Sequence, residues 1–245
     1  MTAEPNTLSR NCNYGCMDFW DTRYEDFPIP FEWYLDYDHS SLKDIIRTYC
    51  RKDGRILIVG CGNSKFSEKM NGDGYNDIHN IDFSQCVINQ MKSKYEGNPS
   101  LKWEQMNCTK MTFENEAFDY VIDKGTLDCV FCASDAENNL RSYCSEVERI
   151  LKIGGKFIVI SSGSMESRLE ILESNDMDSE YLSCFDCTIS AIEKTREISE
   201  NYSVGIHSLN FEEQNYFVYL CRKDDAKVSR KEENEKKRAT TVHLS

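Results

Sequence analysis

The residues best placed to do chemistry begin at Gly60-Cys61-Gly62-Asn63-Ser64, directly after the apolar run Ile56-Leu57-Ile58-Val59. Two glycines around one small residue let the backbone turn sharply and approach a ligand closely. Asn63 or Ser64 can then cap a helix carrying Phe66 and Met70. Strand, glycine turn and helix N-terminus together make a nucleotide-cradling unit, although the turn alone is equally compatible with an ordinary tight connection. Asp82 lies 20 residues beyond Gly62. At that spacing an acid on the tip of a second strand reaches a ribose diol, because one carboxylate can accept from both hydroxyls. Asn107 and Asp123 end two further candidate strands, and Asp128 comes after them in the run Lys124-Gly125-Thr126-Leu127-Asp128. Asp128 reads either as a helix N-cap or as a group that orients a substrate.

These positions need a scaffold, and the hydrophobic pattern supplies one. Ile56–Val59 is apolar without interruption, as in a strand buried on both faces. Ser41-x-x-Asp44 resembles a capping box opening a helix with Leu42, Ile45, Ile46 and Tyr49 on one face. Further strands are expected at Ile78 to Ile81, Leu101 to Met106, Phe118 to Asp123 and Lys156 to Ser161. Between them, Ser84 caps a helix with Val87, Ile88 and Met91 inward. Leu140, Tyr143, Val147, Ile150 and Leu151 share a second helical face, closed by Gly154-Gly155. A helix begins after Ser164, then β-rich segments near Leu182 to Ile192 and Tyr216 to Cys221. Alternating strands and helices predict a parallel α/β sheet with helices on both faces. Such sheets bind ligands at the carboxyl ends of their strands, where Gly60, Asp82, Asn107 and Asp123 converge.

A chain of 245 residues, 40% of them hydrophobic, suits one such domain. Its net charge of -13 disfavours a sequence-independent grip on nucleic acid, which needs a basic surface, and suits a small molecule or a basic protein. No apolar run is long enough for a membrane span, and the N-terminus lacks a secretory h-region, so a cytoplasmic location with reduced cysteines is expected. Cys129/Cys132 and Cys184/Cys187 have C-x-x-C spacing, but small buried thiols explain them better than a metal, and no metal is expected. Residues 1–15 are expected to be flexible, 16–223 to form the domain, and the charged stretch 224–245 to be a disordered tail. Aromatic residues crowd Phe19 to Tyr34 and are broken by Pro28 and Pro30, which suits neither a regular strand nor a helix. They either pack the N-terminal segment down or form a lid over a ligand.

A dinucleotide oxidoreductase would share the glycine turn and Asp82, but Lys65 stands where its glycine pattern wants a small residue. The runs GCGNS at 60–64, NIDFS at 80–84 and above all DKGTLD at 123–128 instead resemble the class I seven-β-strand S-adenosylmethionine-dependent protein-lysine methyltransferases. Within that family the resemblance is to those acting on translation elongation factor 1-alpha. WDTRY at 20–24 and FEWY at 31–34 match the N-terminal segment of that group, and the likeness runs from about Asp18 to Lys223. It implies a Rossmann-like fold with a mostly parallel seven-stranded sheet, S-adenosyl-L-methionine as cofactor, and a protein lysine, on elongation factor 1-alpha, as acceptor. Carried onto this chain, it implies that Gly60 and Gly62 approach the methionine moiety and Asp82 binds the ribose. Phe83 would lie beside the adenine, and Asn107 and Cys108 would meet its edge. Lys124, Trp20, Tyr24 and Phe31 would close around the methionine end. Asn107 stands where relatives often have Asp, and Phe31 lacks a hydroxyl that some carry. The segment Glu193 to Leu209 does not align and could set the substrate.

Methyl transfer is an in-line displacement that the protein assists mainly by positioning and desolvation. The nucleophile must be a neutral amine, whereas free lysine has a pKa of ~10.4. A dry mouth built from Trp20, Tyr24, Trp33 and Tyr34 would lower that value, with Asp123 or Asp128 orienting the amine. A small-molecule methyltransferase would share the whole cofactor half. A non-catalytic relative of the same fold would bind the cofactor poorly.

Overall fold

The uninterrupted apolar run after Arg55 becomes β1 (Ile56–Val59), buried at every position. Continuous burial stems from its place in the sheet, with neighbours on both sides and helices over both faces. The computed structural model describes residues 14–173, 185–194, 215–229 and 231. On one side β1 pairs with β2 (Ile78–Asp82), which pairs with β3 (Leu101–Gln105). On the other it pairs with β4 (Phe118–Lys124), then β5 (Leu151–Ser161), β7 (Asn215–Lys223) and β6 (Phe185–Glu193). The order β3-β2-β1-β4-β5-β7-β6 makes a seven-stranded sheet, parallel except that β7 runs against both its neighbours. The expected Rossmann-like architecture is therefore present. Strand order reverses beside β1, and that switch point opens a crevice above the carboxyl ends.

Alternate residues of β1 feed the two halves of the core. Ile56 and Ile58 pack with Leu42, Ile46 and Val87, while Leu57 and Val59 pack with Leu127, Tyr143 and Val147. The helices are α1 (Met17–Asp26), α2 (Ser40–Tyr49), α3 (Phe66–Gly72), α4 (Gln85–Lys94), α5 (Thr126–Phe131), α6 (Ala136–Ile150) and α7 (Met165–Leu172). Ser84 caps α4 as expected, its hydroxyl accepting from the Val87 amide at 3.3 Å.

Several expectations need correction. The first part of the aromatic segment is helical after all: α1 places Trp20 and Tyr24 one turn apart on its buried side, the prolines fall beyond its end, and Phe31 to Tyr34 is irregular as expected. α2 begins at Ser40 with His39 at the cap, so Ser41 is already inside the first turn and cannot cap it. Gly154-Gly155 does not close α6, which ends at Ile150 and passes straight into β5. Gly154 has φ +77°, and a Cβ on Gly155 would lie 2.7 Å from the Lys152 carbonyl oxygen, so the glycines serve an irregular stretch of strand. Cys187 and Cys221 stand opposite each other in β6 and β7 and form a disulfide, so these two are not free thiols. Cys184 lies outside the described residues, and among the described residues no His, Cys, Asp and Glu group is arranged to hold a metal. Most of the expected flexible start and charged tail also lies outside them. Tyr14 packs on Trp20 and Trp33, and a helical turn spans 225–229.

Candidate active site

The carboxyl ends of β1, β2 and β4 floor a single cavity, roofed by α1 and the strap after it. Gly60 and Gly62 make the floor turn, with φ +58° and +50°, values that side chains with a Cβ rarely adopt. A Cβ on Gly60 would collide with Thr126 Oγ1, and one on Gly62 would lie 2.7 Å from the Tyr24 hydroxyl. The turn is thus squeezed from below by α5 and from above by α1.

Asp82, at the tip of β2, is 5% exposed and lines this cavity. One carboxylate oxygen accepts from the Gly62 amide and the other from the Ser84 amide, each at 2.9 Å. Each oxygen keeps a further lone pair for a ligand hydroxyl. Burial pushes the carboxyl up to about 6. Phe83 and Cys108 also line the cavity, and burial raises the Cys108 thiol to about 12, keeping it neutral. Asn107 lines it too, but its carboxamide oxygen already accepts from the Thr109 amide at 2.9 Å and the Thr109 hydroxyl at 3.0 Å. It therefore presents its NH2, and the acceptor for an adenine amine expected there is already occupied.

The roof is aromatic and well held. Trp20 and Tyr24 stack at 5.7 Å, Trp20 donates to the Tyr14 carbonyl at 2.7 Å, and Trp33 meets Phe31 edge-on at 5.3 Å. Burial raises the Tyr24 hydroxyl well above its ordinary value. The strap is tied to the floor by Glu32 and by Asn63, which was expected as a helix cap although Lys65 holds the cap position of α3. Asn63 accepts from the Phe31 amide at 3.1 Å and donates to the Ile29 carbonyl at 2.8 Å. Glu32 accepts from the Ser64 hydroxyl at 2.7 Å, the Lys65 amide at 2.6 Å and the Lys124 ammonium at 3.0 Å. A carboxylate beyond a helix end, with its partners 32 to 92 positions away, gives no local signal.

Asp123 and Asp128 do not join the cavity. Asp123 is wholly buried and accepts from the Thr126 and Leu127 amides, both at 2.9 Å, and from the Tyr143 hydroxyl at 2.7 Å. It holds the start of α5, and burial pushes it up to about 7. Asp128, inside α5, is not its cap. It accepts from Arg168 at 2.7 and 2.9 Å, Ser161 at 2.5 Å, Tyr34 at 2.6 Å and the Ser162 amide at 3.1 Å. With five donors upon it, Asp128 has no lone pair to spare for an amine. The convergence expected of Gly60, Asp82, Asn107 and Asp123 therefore holds for the first three only.

Residues 57–159 match the methyltransferase domain family. EEF1A lysine methyltransferase 4 of Bos taurus is 32% identical over 174 residues, covering 67% of this chain and 68% of that protein. The eEF1A lysine and N-terminal methyltransferase of Homo sapiens is 36% identical over 153 residues, 60% of this chain but 22% of that longer protein. Among solved structures, the cyclase SpnF superposes with a TM-score of 0.59 at 15% identity, over 85% of this chain and 94% of its own. A methyltransferase of Methanosarcina mazei gives 0.53 at 18%, over 78% and 99%. At such identities the likeness is one of fold. The chain belongs to the class I S-adenosylmethionine-dependent methyltransferases.

The residues of this methyltransferase fit that cofactor. Asp82 has free lone pairs that could take ribose hydroxyls, the glycine turn would admit a close approach, and aromatic rings cover the roof. The bound group supplies a methyl carried on a sulfonium. The chain's own part is to hold it and to keep water out beneath Trp20, Tyr24, Phe31 and Trp33.

Proposed function

We propose that this methyltransferase modifies the side-chain amine of a lysine in a protein, and that the protein is elongation factor 1-alpha. What carries this reading is the kinship with EEF1A lysine methyltransferase 4, which spans two thirds of both chains. The site is consistent with it. The only carboxylate lining the cavity, among the described residues, is Asp82, on the ribose side, so an amine entering under the strap passes the rings of Trp20, Tyr24, Phe31 and Trp33. Desolvation there favours the neutral amine that must attack. Neither Asp123 nor Asp128 takes the amine's proton in this arrangement, and the amine loses it to solvent before entry. A cytoplasmic site of action goes with this reading, and among the described residues no helix is long and apolar enough to cross a membrane.

The test is incubation of the purified chain and labelled S-adenosylmethionine with a cell extract and, separately, with purified elongation factor 1-alpha, then mass spectrometry of the labelled species. Methylated lysine on that protein is the expected result. Label confined to small metabolites would turn the assignment to a small-molecule acceptor, and a chain that does not bind the cofactor would be a non-catalytic relative.

A further inference from the structure

We propose that the Arg23 guanidinium receives the carboxylate at the amino-acid end of S-adenosylmethionine. That carboxylate must be met inside the cavity, because an unpaired buried charge is costly. The resemblance assigned this end to Lys124, but Lys124 is already spent. Its side chain is 8% exposed, with the ammonium 3.0 Å from Glu32 and 2.9 Å from the Trp33 carbonyl oxygen. Much of the glycine turn is spent as well. The amides of Cys61 and Gly62 donate to Ile81 and Asp82, and those of Lys65 and Phe66 to Glu32 and the Ser64 hydroxyl. Both ends of the Asn63 side chain are held by the strap.

Arg23 is different. It lines the cavity, its Cζ lies 4.9 Å from the centre of the Phe31 ring, and among the described residues its guanidinium donates to no carbonyl or carboxylate. Phe31 is pinned by its amide to Asn63, next to the glycine turn, and Tyr24, the neighbour of Arg23, sets its hydroxyl over Gly62. Arg23 therefore sits over a ring whose own backbone is tied to the glycine-turn end of the cavity. A guanidinium over an aromatic face is attracted to the ring without spending an N–H, and its forked donors match a carboxylate.

Titration calorimetry with S-adenosylmethionine and with decarboxylated S-adenosylmethionine isolates this contact, since the two differ only in the carboxylate. Arg23→Gln should weaken the first by about 10- to 100-fold and leave the second within about twofold of the wild type. Arg23→Lys, which keeps the charge but not the fork, should fall between the wild type and Arg23→Gln. Equal weakening of both ligands by Arg23→Gln would mean that Arg23 acts only by holding Phe31, and would overturn the proposal, as would no weakening of either. A wild-type chain that distinguished the two ligands by less than about threefold would overturn it as well.

Discussion

Asp82 and Asp123 lie at the carboxyl ends of the two strands that flank β1, the last residue of β2 and the last but one of β4, and burial raises both. Yet one faces the cavity and the other faces the fold. The difference lies in how the chain leaves each strand. After β4 it enters α5 almost at once, and the first amides of that helix point back at Asp123, with Tyr143 closing the remaining side. After β2 the Ser84 hydroxyl does the capping of α4, which leaves Asp82 one amide on each oxygen and an open side toward the cavity. An acid at a strand tip is available to a ligand only when another group meets the next helix.

The comparison can be tested by removing carboxylates in turn. Asp128→Ala, also on the β4 side, should cost most. It strands Arg168, whose side chain is 9% exposed, and should lower unfolding free energy by about 3–5 kcal/mol in denaturant titrations. Asp123→Ala should cost about 2–3 kcal/mol of stability, with the cofactor affinity of the remaining folded protein little changed. Asp82→Ala should invert that pattern, raising the Kd for S-adenosylmethionine by about 10- to 100-fold while losing less stability than Asp123→Ala. If Asp123→Ala abolishes binding in a protein that still melts like the wild type, the two tips have been assigned the wrong way round. The smallest effect is that of pH. Asp82 titrates near 6 in the free protein, and its charged form is the better acceptor for two hydroxyls. Affinity should therefore be full above that value and fall by about tenfold between about pH 7.5 and 5. By the same linkage, binding at about pH 6 should release protons, visible as a dependence of the calorimetric heat on the buffer.

The strands, the glycine turn and the position of Asp82 at a strand tip were readable because each is set by local pattern: continuous apolar runs, paired glycines, and an acid at a fixed distance. The roles of Asp123 and Asp128 were not. The pattern DKGTLD shows that the segment matters, but the partners of Asp128 are 33 to 94 residues away along the chain. Nothing within the motif reveals that Arg168 and Tyr34 will consume it. The aromatic N-terminal segment misled for a different reason. Its prolines argue against regular structure, but they act only after Asp26, and the helix before them is decided by burial of Trp20 and Tyr24 over the cavity. The Cys187–Cys221 bond was hidden because it depends on the register of two antiparallel strands, which residue spacing does not give.

The reversed direction of β7 governs how the molecule can be handled. Phe217 sits beside Ser161 at the rim that carries the cavity, whereas Arg222 sits beside Lys156 at the opposite rim. Whatever is attached after Lys223, whether a surface tether, a fluorophore or a fusion partner, thus departs from the far side of the sheet. An enzyme immobilised from there turns its mouth toward the solution.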